Sequence, residues 1–305
     1  MDFATFSTHY LFPGVIFFVM FGLGLSLTPA AFRNILLVPR AVAIGLAGQM
    51  IFLPAVALGL ALLLPLPDPI RIGLVILAAC PGGSTSNAIV FALRGETALS
   101  VTLTALSSLL SILTIPFIVG LGFVLITGGD AELAMPAGAM MQRLFMMTAL
   151  PILLGMGLRY AAPGPAEASL RFFRVLSLLL ILTIIAISVR DAYHLIEGNA
   201  LSIMMATLAL ALLVVPGAYL IARLARLDPG KRVAITVEVG VQNTPLALVI
   251  GATLLGLPEL NITPVAYGLL NYLFIGVLLL FMHRARSTGG LKASGTPESA
   301  ARTAR

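Results

Sequence analysis

Thirty-one consecutive residues, Thr97 to Thr127, carry no charged side chain, and eight further stretches are nearly as apolar. A helix needs about 20 apolar residues to cross the hydrocarbon of a bilayer. Runs long enough fall at roughly 10–29, 41–65, 70–93, 97–127, 138–162, 170–190, 200–222, 231–256 and 262–283. Breakers mark their ends, among them Pro65–Pro69, Gly128–Gly129 and Gly256–Pro258;. Within the runs apolar residues follow one another without alternation, which excludes a membrane β-barrel. With 59% hydrophobic and 10% charged residues, the chain cannot bury its apolar surface as a soluble domain would;. The sequence therefore predicts an all-α membrane protein of about nine transmembrane helices.

The basic residues orient it. With the N-terminus outside, Arg33, Arg40, Arg94, Arg159, Arg171, Arg174, Arg223, Arg226, Lys231, Arg232, Arg284, Arg286, Lys292, Arg302 and Arg305 fall inside. Arg71, Arg143 and Arg190 fall outside, and so uneven a split sets the orientation;. The net charge of +6 thus reflects topology and calls for no nucleic acid. The start MDFATFSTHY has an Asp and no Lys or Arg, so it does not read as a signal peptide;. Residues 287–305, rich in Gly, Ser and Ala, are expected to form a disordered cytoplasmic tail;. A single cysteine, Cys80, provides neither a disulfide nor a metal cluster and is expected in the core;.

Two stretches break the apolar pattern: CPGGSTSNAI at Cys80–Ile89 and EVGVQNTP at Glu238–Pro245. They lie in the third and eighth spans, an odd number of crossings apart, so the two segments run in opposite directions. Opposed broken helices are a mark of inverted-repeat secondary transporters. Unpaired backbone survives at membrane depth only inside protein or against a wet cavity. Glu238 is the one acidic residue inside a span, and no Lys, Arg or His within a span can pair with it. Such a carboxylate must be paired, protonated or holding a cation. Ser86, Asn87, Ser100, Thr104, Gln49 and Gln242 supply oxygens that suit a hard ion such as sodium;. Ser100 and Thr104, at i and i+4, share one helix face;. Taken singly, each polar residue is as well explained by a local hydrogen bond or by helix packing; the set is not.

CPGGSTSNAI, the following LRGETALSVTLTALSSLLSILTIPF, and EVGVQNTPLALVIG resemble the bile acid:sodium symporter family, and the resemblance covers essentially all nine spans. It implies two inverted repeats, a core and a panel domain, and two unwound crossing helices. Within a transporter domain of residues 1–286, panel helices would lie in 10–65 and part of 138–222. Core helices would lie in 70–127 and part of 200–283. Bacterial members of known structure have ten helices, so this chain is expected to lack the first. The resemblance places one sodium site at Ser86, Asn87, Ser100, Thr104 and Glu238. It places a second at Gln49, Glu238 and Gln242 with the carbonyls of Val239 and Val241. Substrate contacts would fall to Ser84, Thr85, Asn243 and Asn271.

Some bacterial relatives carry a histidine near the substrate on the last helix, where this chain reads LLNYLF, and His9, His194 and His283 lie at span ends or in loops. The expectation is thus a symporter of the bacterial inner membrane, coupled to two sodium ions, with no organic cofactor, possible as a monomer. Its substrate would be a small organic anion: a bile acid, steroid sulfate, pantoate, pyruvate or another 2-oxo acid. A proton-coupled or sodium-independent carrier of the same architecture, including an arsenite-type exporter with Cys80 as ligand, is the alternative. An enzyme is disfavoured because no intramembrane nucleophile–base pair or metal cluster is present;.

Overall fold

The structure, a computed structural model, describes residues 6–27, 36–83, 85–129, 136–191 and 193–271. Ser84, the start of the chain and residues beyond 271 lie outside them, so the later part of the 262–283 span and the tail do too. The described residues are nearly all helical.

Six helices are long and apolar enough to cross a membrane. They are α1 (Ser7–Ser26), α2 (Pro39–Leu63), α5 (Thr97–Thr127), α6 (Ala137–Ala161), α7 (Pro163–Asp191) and α8 (Tyr193–Leu224). The third expected span is broken into α3 (Asp68–Ala79) and α4 (Ser86–Ala92). The eighth is broken into α9 (Pro229–Gly240) and α10 (Thr244–Leu254). A last helix, α11, is described over 262–271. Spans expected at 170–190 and 200–222 begin earlier, at Pro163 and Tyr193. Arg171 and Arg174 do not stop the first of these, because a helix end at the interface accommodates long basic side chains;.

Prolines explain local geometry that periodicity does not reveal. Wide i→i+5 turns occur at Ser7–Leu11, Gly48–Phe52 and Phe145–Ala149. Pro13, Pro54 and Pro151 each stand two residues beyond one of them. Proline removes an N–H and crowds the carbonyl four residues back; widening that turn relieves the clash without ending the helix. A fourth wide turn, Ile250–Leu254, ends α10. Pro116 and Pro216 remain inside α5 and α8.

The packing follows the small residues. α1 lies against α6 and α7, while α3 and α9 pack on α5. A Cβ on Gly24 would run into the Ile152 backbone, and one on Gly155 into that of Phe21, so glycine lets α1 and α6 touch. Away from these contacts the helices present Leu113, Phe117, Leu121, Phe172, Leu178, Leu182, Leu208 and Leu212 to the outside. An apolar surface of that extent is stable only in lipid.

Among the described residues, ion pairs form at helix ends: Arg71–Asp68, Arg159–Glu167, Arg190–Asp191 and Lys231–Asp228. Exposed pairs of this kind contribute little to stability. None of them involves Glu238.

Candidate functional site

The two broken helices meet at their gaps. Cys80 ends α3 in extended backbone (φ −71°, ψ 152°), and Val241 ends α9 likewise (φ −107°, ψ 103°). Gly82 and Gln242 form an antiparallel bridge, with Gly83 N donating to Val241 O at 2.8 Å and Asn243 N to Pro81 O at 3.0 Å. Each unwound strand thus satisfies part of the other's backbone, which a break inside the membrane requires.

Glu238 faces this crossing from the last full turn of α9 and is 1% exposed. Ser86 Oγ donates to its Oε2 at 2.7 Å and Ser100 Oγ at 3.1 Å, while Thr104 Oγ1 donates to Oε1 at 2.7 Å. Ser86 opens α4, and Ser100 and Thr104 lie on one face of α5, so three helices converge on one carboxylate. A Cβ at Gly82 would collide with that carboxylate, so only glycine fits there.

On the other side of the bridge, Gln49 Nε2 donates to Cys80 O and to Gln242 Oε1, both at 2.8 Å. Gln242 Nε2 in turn donates to Val239 O at 2.6 Å. Flipping the Gln49 amide would set oxygen against two oxygens, so its orientation is determined by its partners. Gln49 itself lies in the wide turn Gly48–Phe52 that precedes Pro54.

This geometry leaves orphans. Gln49 Oε1 and Asn87 Oδ1 are buried with no hydrogen-bond partner. A buried carbonyl oxygen without a donor is costly, and a cation is one way to satisfy it. The two orphan oxygens belong one to each expected sodium site. Glu238, three hydroxyls and two amide oxygens form the all-oxygen donor set that a hard monovalent cation takes. The residues present therefore fit sodium.

The expected substrate residues are less uniform. Asn243 Oδ1 accepts from Leu246 N at 3.1 Å and so caps α10. Thr244 N donates to Gln242 O, Ala247 N to Asn243 O, and Pro245 has no N–H. The first amides of this half-helix are thus committed inside the turn. An anion here would meet the helix dipole and the Asn243 amide nitrogen rather than backbone N–H groups. Thr85 is half-buried beside Gly83, and Ser84 lies outside the described residues. Asn271 Nδ2 donates to Gly240 O at 3.1 Å, and Tyr267 OH donates to the same carbonyl at 2.9 Å. Sequence reasoning did not single out Tyr267, and it weighed Gly82 only as a small residue for helix packing. The i, i+4 spacing of Tyr267 and Asn271 in an otherwise apolar helix was the available signal for the first;. Cys80 is buried, and its carbonyl serves Gln49.

Residues 13–199, more than half of the chain, match the model of the Sodium Bile acid symporter family. The uncharacterized sodium-dependent transporter YocS of Bacillus subtilis is 33% identical over 109 residues, 36% of this chain and 33% of that protein. The probable chloroplastic sodium/metabolite cotransporter BASS1 of Arabidopsis thaliana is 28% identical over 278 residues, 85% of this chain and 63% of the relative. The P3 protein of Homo sapiens is 25% identical over 250 residues, 81% of this chain and 52% of the relative. This chain spans between about a third and just under two thirds of the length of these three proteins.

Proposed function

The chain belongs to the Sodium Bile acid symporter family, and on that premise we propose that it is a sodium-coupled symporter of a small organic anion. The observation that carries the reading is Glu238, a buried carboxylate held by three hydroxyls and, among the described residues, in no ion pair, while two further amide oxygens of the expected sites are buried without a partner. Sodium-dependent names among the relatives support the choice of ion.

One ion would be held by Ser86, Asn87, Ser100, Thr104 and Glu238. The second would be held by Gln49, Gln242, Glu238 and the carbonyls of Val239 and Val241. A carboxylate has about four acceptor sites, and three carry hydroxyl hydrogens here. Rotating those hydroxyls turns their lone pairs inward and frees Glu238 Oε1 and Oε2 for cations, without moving a helix. In the second site Gln49 Oε1 is already without a partner, while Gln242 would release Val239 O.

The substrate's charged end would lie at Ser84, Thr85 and Asn243, with Asn271 close by. Cation sites loaded next to the gap make that place electropositive without any basic side chain. Alternating access would carry the crossing, in a core of 70–127 and part of 200–283, past a panel of 10–65 and part of 138–222. We place the protein in a bacterial inner membrane with its N-terminus outside, as the basic residues dictate.

Uptake of radiolabelled taurocholate, steroid sulfate, pantoate and pyruvate into proteoliposomes tests the reading, with external sodium replaced by choline in parallel. Uptake of at least one anion should require sodium. Uptake driven equally well in choline by a proton gradient would move the assignment to a proton-coupled carrier, with Glu238 as the proton site.

A further inference from the structure

The Gly240 carbonyl has an arrangement of its own. In an unbroken helix it would accept from the N–H of Thr244, four residues on. That N–H instead donates to Gln242 O, so the break sets the Gly240 carbonyl free. The two neighbouring carbonyls are freed as well. Asn243 N, the helical partner of Val239 O, goes to Pro81, and Val241 O is taken by Gly83 N. Of three consecutive freed carbonyls, the outer two face the crossing: one meets Gln242 Nε2 and the other the opposite strand. The middle one faces α11, where Tyr267 OH and Asn271 Nδ2 both donate to it.

Peptide units are rigid planes, and the one carrying Gly240 O joins the last residue of α9 to Val241, where the backbone turns extended. Holding that plane restricts where the Val239 and Val241 carbonyls on either side can point. Tyr267 is fully buried (0% exposed), so its hydroxyl has few other places to go. Between the two donors, Gly268 sits so close to Thr244 that a Cβ would approach Thr244 Oγ1 to 2.8 Å. Residues 267, 268 and 271 thus form one face of α11 seated on the α9–α10 gap.

We infer that Tyr267 and Asn271 act as a clamp: by holding Gly240 O toward α11, they aim the Val239 and Val241 carbonyls into the second cation site. They are positioning residues that touch no ion. The inference rests on the proposed sodium reading and adds to it that the site's backbone ligands are set from the last helix. Such supporting bonds are worth about 10–100-fold in metal affinity where they orient a ligand. It also assigns Asn271 a part in ion coupling, whereas the resemblance put it beside the substrate.

The test uses the purified full chain and measures melting temperature across a sodium titration, with potassium chloride at equal ionic strength as the baseline. Tyr267→Phe removes one oxygen and keeps the ring; Asn271→Leu removes the second donor at similar volume. The double variant should need about ten-fold more sodium or beyond for half-maximal stabilisation, with Tyr267→Phe alone shifted in the same direction. A loss of melting temperature that is equal in potassium and sodium, with an unchanged sodium midpoint, would overturn the clamp. So would an Asn271→Leu variant that keeps the sodium midpoint and loses only anion binding. If the double variant does not fold, Tyr267→Phe, which preserves packing, decides by the same midpoint. Wild-type protein without any sodium-specific stabilisation would instead remove the sodium reading beneath it, a result recognisable before any variant is made.

Discussion

Glu238 is useful because it is both buried and over-supplied with donors. Three hydroxyls keep a carboxylate tolerable in the absence of a basic partner, and each retains lone pairs for a cation;. Glu238→Gln keeps the shape and removes the charge. A ligand at a hundred times its dissociation constant adds about 2.7 kcal/mol to stability, and the amide variant should lose that increment. Thermal unfolding in sodium and in potassium checks it; an increment that survives would show that the ion binds elsewhere. Gly82→Ala should act on the same carboxylate from the opposite side, because the added methyl takes the space that Glu238 occupies. Its expected result is a variant that inserts in the membrane but shows neither sodium stabilisation nor uptake. Asn243 needs a graded series, since its Oδ1 is also the cap of α10. Asn243→Ala should cost about 1 kcal/mol of stability through the lost cap, which would obscure any effect on transport. Asn243→Ser keeps a capping oxygen and drops the amide donor, and Asn243→Asp keeps the cap and adds a negative charge. If the amide serves the anion, Ser should weaken substrate binding and Asp abolish it, both with the sodium increment retained. An Asp variant that transports at the wild-type rate would take Asn243 out of the substrate site.

At the scale of elements, the wide turn at Gly48–Phe52 sets where Gln49 points. Replacing Pro54 by Ala restores an N–H and removes the ring that crowds the carbonyl four residues back. The turn can then tighten to α geometry, which turns preceding residues by about 100° per residue taken out. Pro54→Ala should therefore keep α2 helical and membrane-inserted while weakening sodium stabilisation through the displaced Gln49. A sodium midpoint unchanged from wild type would separate Gln49 from the ion. This turn also shows what the sequence could and could not reveal. Apolar run length located α1, α2, α5, α6, α7 and α8, because in lipid composition alone decides whether a helix spans;. Clustered Gly, Ser, Asn and Gln located both breaks, because nothing else explains polar residues at that depth. The wide turns stayed hidden because Pro54 in a helix is equally compatible with a kink, a widened turn or no disturbance, as Pro116 shows. The committed amides at the start of α10 stayed hidden as well. Whether a cap side chain turns inward or toward a ligand depends on rotamers that a residue pattern does not contain. Tyr267 was not singled out, because it is the freed carbonyl of Gly240, a consequence of the tertiary crossing, that gives its hydroxyl a purpose.

At the scale of the whole molecule, the decisive quantity is the charge carried through the membrane. The described helices cover themselves with leucine, phenylalanine and methionine outside and keep one carboxylate inside, so the protein contributes a single fixed negative charge to the site. Two sodium ions, as the family resemblance implies, would make the loaded site positive, and a monovalent organic anion would bring it to neutrality. A neutral centre is the state that can be exchanged between faces at least cost, since a net charge at the bilayer centre is expensive. Glu238 stays with the protein through the cycle, so each turnover would move two positive charges and one negative. Transport of a monoanion should therefore be electrogenic, with one net positive charge entering. A membrane potential is worth about 2.3 kcal/mol per charge per 100 mV, which is ample to alter both rate and accumulation. In proteoliposomes with a fixed sodium gradient, an inside-negative potential set by potassium and valinomycin should speed uptake and raise the plateau. A doubly charged anion of the same class should lose that sensitivity, because its second negative charge cancels the surplus. Equal rates for a monoanion with and without the potential would exclude two ions per cycle and leave at most one of the two cation sites coupled to transport.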